Sequence, residues 1–107
     1  MAERVAQWNG VSGRGYWYLV FPIDQVFQDE PGTYIFATET QQEQFRAEYI
    51  GETGNLGERL ANHEKKDCAK RHGATQVHIH TAEGGEAVRK AEEADLIARN
   101  DPPCNKM

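Results

Sequence analysis

The stretch "AEYIGETGNLGERLANH", residues 47–63, constrains the fold of this chain more than any other part of it. A strand-like Tyr49-Ile50-Gly51 passes through a Gly/Asn-rich turn and straight into a helix. Asn55 stands where an N-cap belongs, and Glu58 three residues later completes a capping-box-like pattern before Leu60. Arg59 and His63, four apart on that helix, face the same way. The pair is either a solvated surface or the positive wall of a site that handles anions.

The rest of the chain supplies elements to pack around this unit. "YWYLVFPI" reads as a strand halted by Pro22, and "PGTYIFATE" (31–39) as a turn signal followed by a β-branched and aromatic strand. "FRAEYIGE" (45–52) alternates Phe45, Ala47 and Tyr49 on one expected face, with "TETQQEQ" as the hairpin loop before it. After the capped helix a second short one, "KKDCAKRH", ends at Gly73 in the C′ position. "TQVHIHT" alternates Val77 and Ile79 against His78 and His80, a strand with one wet face. "GEAVRKAEEADLIARN" is a strong helix former closed by Asp101-Pro102-Pro103. From residue 31 the order is strand, strand, helix, helix, strand, helix: a small α/β (α+β) domain with a mixed or antiparallel sheet.

At 107 residues the chain has room for one modest core. We read residues 16–107 as a single domain and residues 1–15, Gly-rich and polar apart from Val5, Trp8 and Val11, as a partly disordered N-terminal segment. The longest apolar run, "YWYLVF" (16–21), is far too short to cross a bilayer, so no membrane association is expected. Cys68 and Cys104 are too few for a disulfide framework and point to a reducing cytoplasm. Twelve Lys/Arg against seventeen Asp/Glu leave a net charge of −5, which argues against strong nonspecific DNA binding by this domain alone.

Three groups of residues have chemical potential. On the last helix, Glu93 projects between Leu96 and Ile97 with Arg89 one turn before it, whereas Glu92, Asp95 and Arg99 share a stripe expected to be exposed. A carboxylate among core-facing residues must be paired, hydrogen-bonded or bound to a cation. The plain alternative is an i,i+4 salt bridge between Arg89 and Glu93; the functional one makes Glu93 a ligand for a hard cation. Tyr34 and Tyr49, on adjacent strands, either pack across a hairpin or line an anion site, and a tyrosine acts as a base only beside something that lowers its pKa. Arg59 offers phosphate a bidentate fork and His63 can move a proton near neutral pH, although Glu58, Glu64 and Asp67 nearby fit a solvated face equally well. A zinc site from Cys68, His72, His78, His80 and Cys104 is a minor alternative, because Cys-x3-His followed by His-x-His matches no common structural spacing.

Taken together these pieces resemble the GIY-YIG nuclease family, as a small stand-alone member. "GTY" (32–34), "YIG" (49–51), "TGNLGERLANH" (53–63), "EEADLI" (92–97) and "DPPCN" (101–105) follow the family's order and cover residues 31–105. Thr33 stands where the family name has isoleucine, and β-branched threonine suits a strand equally. The resemblance implies a compact three-stranded antiparallel sheet flanked by helices, with an N-terminal extension and a site on the sheet's face. It implies a divalent-metal-dependent endonuclease of DNA repair, mobile-element or defence type, with Mg²⁺ or Mn²⁺ held by Glu93. Arg59 would hold the scissile phosphate, Tyr34 and Tyr49 would position the attacking water with one of them as general base, and His63 would transfer a proton or touch phosphate. Asn105 would orient the site by hydrogen bonding, and Gly32 and Gly51 would permit close backbone approach. The expected partner is the DNA backbone, with a partner protein supplying grip that an acidic domain lacks. The alternative is a non-catalytic nucleic-acid-binding or protein-interaction module on the same fold.

Overall fold

The computed structural model describes residues 4–81 and 84–106. The elements are β1 (Val5–Asn9), β2 (Gly15–Pro22), β3 (Gly32–Gln41), β4 (Gln44–Thr53), α1 (Leu56–Ala61), α2 (Lys66–Arg71), β5 (Gln76–His80), α3 (Gly85–Asn100) and a 3₁₀ turn, Pro103–Asn105. The strands form one five-stranded sheet in the order β1-β2-β5-β3-β4, with every neighbouring pair antiparallel. The class is α+β, but the expected three-stranded sheet is overturned. The segment 1–15 that the sequence reading set aside supplies β1, an edge strand with only Ala6 and Trp8 turned inward. Such a strand leaves a weak sequence signal. Its pairing with β2, Trp8 opposite Tyr16, is what buries it.

The sheet has a layer on each face. Leu96 of α3 packs with Trp8, Tyr18, Ile35 and Ile50 on one face. Leu56 and Leu60 of α1 and Ala69 of α2 pack with Tyr34, Phe36 and Val77 on the other. The additional β1–β2 hairpin also extends the sheet beneath α3, which corrects the reading of that helix. Glu92, expected on an exposed stripe, is 4% exposed. It accepts the Tyr18 hydroxyl at 2.5 Å and meets His80 Nδ1 at 2.7 Å. Asp95 accepts the Tyr16 hydroxyl at 2.8 Å.

A bulge in β4 decides which side chains reach which face. Phe36 pairs with Tyr49 and Ala37 with Ala47, leaving Glu48 as the extra residue. Phe45 and Ala47 therefore join the α3 layer, while Tyr49 crosses to the layer of Tyr34 and Phe36. The expectation that Phe45, Ala47 and Tyr49 share one face fails at this residue, since each added position flips the side-chain alternation. Glu48 itself is fully buried, its Oε2 accepting from Thr38 Oγ1 at 2.6 Å and Arg46 Nε at 2.9 Å. The β3–β4 hairpin is also tighter than the seven-residue loop expected: the strands stop at Gln41 and resume at Gln44, with Glu43 at a φ of 63°.

Helix ends follow local chemistry. Asn55 Oδ1 accepts the Glu58 N–H at 3.0 Å, capping α1, and Gly73 takes a φ of 102° after α2. Asp101, at a φ of 48°, gives its N–H to Ile97 O at the end of α3. The two cysteines, expected to be too few for a disulfide framework, form a Cys68–Cys104 disulfide with Cα atoms 6.0 Å apart. Their separation of 36 residues conceals this. Both α2 and the 3₁₀ turn pack on β4, and that brings the sulfurs together. No helix among the described residues is long and apolar enough to cross a membrane.

Candidate active site

Tyr34 enters the site from β3, directly opposite Gly51 of β4. A Cβ at position 51 would lie 2.5 Å from the Tyr34 oxygen, so the phenol ring can cross its neighbouring strand only because residue 51 is glycine. Tyr49, placed on this face by the bulge, stacks beside Tyr34 with ring centroids 6.2 Å apart. His63, just beyond the C-terminus of α1, sets its ring edge-on to both tyrosines and to Phe36, with centroids 5.4, 4.9 and 5.0 Å away.

The hydrogen bonds of His63 define its tautomer. Nδ1 accepts the Lys65 backbone N–H at 3.0 Å, so in the neutral ring the proton sits on Nε2. Nε2 lies 2.7 Å from the Tyr34 oxygen and donates to it. The Tyr34 O–H is thereby left to donate elsewhere. Burial, then the nearby Arg59 charge, lowers the His63 pKa from its ordinary value to about 4, and the ring is neutral at pH 7.

Burial also pushes both tyrosine hydroxyls up, and the positive charge of the nearby Arg59 guanidinium opposes the rise. Arg59 meanwhile holds a bidentate contact to Glu64, Nη1 to Oε2 at 2.6 Å and Nη2 to Oε1 at 2.9 Å. This pairing keeps the Glu64 carboxylate at a pKa of about 2. An open depression of about 460 Å³, lined by Thr53, Gly54, Asn55, Glu58, Arg59 and Asn62, leads from solvent to the guanidinium.

Glu93 approaches from α3 rather than from the tyrosine face. It is half-buried and lies beside Glu52. Its charge reaches both tyrosines and raises them. Burial and, next, the Glu52 carboxylate push its own pKa up. The alternative Arg89–Glu93 bridge is replaced by Arg89 Nε to Glu52 Oε2 at 3.1 Å.

Tyr34, Tyr49, Arg59 and His63 thus form one cluster, with Glu93 at its margin. Asn105 stands apart from it. Its Oδ1 accepts the Ile50 N–H and its Nδ2 donates to Ile50 O, both at 2.8 Å, closing the open edge of β4 between Tyr49 and Gly51. Its amide is spent on backbone, so Asn105 positions the strand and does not face a ligand. The sequence reading missed Glu52 as the neighbour of Glu93 and Glu64 as the occupant of the Arg59 fork. Only the proximity of Glu64 in sequence signalled the latter. Of the zinc candidates, His78 accepts the Trp8 indole N–H at 3.0 Å and His80 is engaged with Glu92, so both are tied into the core. Comparisons with protein-family models, with curated proteins and with solved structures find no match.

Proposed function

We propose that the chain is a divalent-metal-dependent phosphodiester hydrolase acting on DNA, an endonuclease of the GIY-YIG type. The observation that carries this reading is the joining of the Tyr34–His63 pair and Tyr49 to Arg59, beside a half-buried Glu93 whose negative charge is disfavoured. A cation at Glu93 would offset both its burial and the repulsion from Glu52, so the residues present fit Mg²⁺ or Mn²⁺. A bound ion of this kind supplies positive charge next to the phosphate under attack.

The chain's own residues account for the rest. Arg59 exchanges Glu64 for a phosphate of like shape and charge, and its fork faces the charge that grows on the phosphoryl oxygens. Tyr34, accepting from His63 Nε2–H, directs its free O–H at the attacking water. Burial keeps both tyrosines protonated in the resting protein. A tyrosine becomes the base only under the combined influence of Arg59, the His63 N–H and the added cation. Asn105 holds β4 and with it Tyr49.

The test is a nicking assay with Mg²⁺ and Mn²⁺ on supercoiled, branched and single-stranded DNA, with Glu93→Ala as control. Metal-dependent cleavage lost in that variant supports the hydrolase. The second reading, a non-catalytic module binding nucleic acid or protein, is favoured by the net charge of −5 and by the occupied Arg59 fork. A hydrolase this acidic would rely on a partner protein for grip on DNA. Absence of cleavage with every metal and DNA form would place the module ahead.

A further inference from the structure

One cluster of metal-ligating side chains lies outside the tyrosine site. Cys68 and His72 stand four residues apart along α2 and its C-cap, on one face. The 3₁₀ turn that starts at Pro103 brings Cys104 against them, and the sulfurs and a His72 ring nitrogen all lie within 4.8 Å of one another. Both cysteines are buried, whereas His72 is exposed and opens the cluster to solvent. In the structure the two sulfurs are joined.

We propose that the reduced protein binds one thiophilic divalent cation, Zn²⁺, through Cys68, His72 and Cys104, and that the disulfide and the metal are alternative cross-links between α2 and the C-terminal turn. A tetrahedral zinc with sulfur at about 2.3 Å and nitrogen at about 2.0 Å holds its ligand atoms about 3.5–3.8 Å apart. The ligand atoms, all within 4.8 Å of one another, already stand close to that spacing, and with Cα atoms 6.0 Å apart side-chain rotation separates the reduced sulfurs towards it. Two thiolates with an imidazole select zinc over the hard cations suited to Glu93. The fourth position opens towards solvent beside His72. The exchange balances: a dithiol reductant gives two electrons and two protons to the disulfide and is itself oxidised to a disulfide. Zn²⁺ then displaces both thiol protons as its two Zn–S bonds form. His78 and His80 take no part, being held by Trp8 and Glu92. The site stands whether or not the tyrosine cluster cleaves anything.

The test is titration of fully reduced, desalted protein with Co²⁺ under anaerobic conditions, followed by displacement with Zn²⁺. One equivalent of Co²⁺ should produce thiolate-to-metal charge-transfer absorption that Zn²⁺ abolishes, and the oxidised protein should produce none. Cys68→Ser and Cys104→Ser should each lose the absorption of the two-thiolate site, and Glu93→Ala should keep it. His72→Ala alters an exposed side chain, so the fold survives, as circular dichroism should verify. In that variant binding should no longer be stoichiometric at micromolar protein. No charge-transfer band from reduced folded protein would overturn the site. A band that persists in either cysteine variant, or unchanged affinity in His72→Ala, would overturn it equally.

Discussion

His63 is a neutral ring fixed between two partners, and that gives the protein a defined acid limb in its stability. A proton arriving at Nδ1 displaces the Lys65 N–H and places a charge beside Arg59, in a position with 7% exposure. The folded pKa, about 4, lies below the ordinary 6.5, so the unfolded chain takes up the proton first. The stabilisation is complete above pH 6.5 and is lost as pH falls from 6.5 to 4, below which both states are protonated. Across that interval the loss amounts to about 3 kcal/mol. His78 is lowered to about 4 by burial and acts in the same window, so the wild type alone cannot separate the two. His63→Asn does, because the asparagine Oδ1 keeps an acceptor near the Nδ1 position and does not titrate. Urea unfolding at pH 7.5 should find this variant less stable than wild type, since the bond to Tyr34 is gone. At pH 4.5 the gap should shrink or reverse by about 3 kcal/mol, with His78 cancelling from the comparison. Parallel pH profiles for the two proteins would refute the neutral, doubly engaged ring. In a cleavage assay the same ring predicts no His63 titration near pH 6.5 in kcat/KM.

Arg59→Ala should cut cleavage roughly a hundred- to a thousandfold while equilibrium DNA binding falls modestly and its salt slope by about one counterion; equal losses would make Arg59 one more electrostatic contact. Asn105→Ala uncovers the Ile50 N–H and C=O, and should cost about 1–3 kcal/mol in chemical denaturation with faster amide exchange at Ile50. Gly51→Ala drives a Cβ to within 2.5 Å of the Tyr34 oxygen and should destabilise by about 1–3 kcal/mol with displaced Tyr34 ring resonances; an unchanged Tm would contradict the close crossing. Cys104→Ser should lose about 4 kcal/mol in oxidising buffer, from the 36-residue loop the disulfide closes, and the difference from wild type should vanish in metal-free dithiothreitol.

Local chemistry in the sequence determined the elements that short-range forces can build by themselves. The Asn55 cap, the Gly73 stop, β3 to β5 and α3 all rest on residues a few positions apart, and each is present. The placing of Arg59 and His63 one turn apart was legible too, because turn and helix follow one another directly from residue 53 to 63, whereas their meeting with Tyr34 and Tyr49 was expected only from the family resemblance. Tertiary structure alone decided the remainder. β1 is a strand only because β2 pairs with it, and that hairpin buries Glu92, which helical periodicity assigned to solvent. One bulge residue, Glu48, moves Tyr49 across the sheet, and no residue-by-residue alternation reveals where a ladder slips. Cys68 and Cys104 meet through two separate packings on β4, a coincidence of surfaces that a 36-residue separation cannot announce. Propensity and capping act within a turn of helix or a pair of strands. Register, burial and long-range cross-links depend on which distant face arrives opposite, and that is settled only when the sheet closes against its helices.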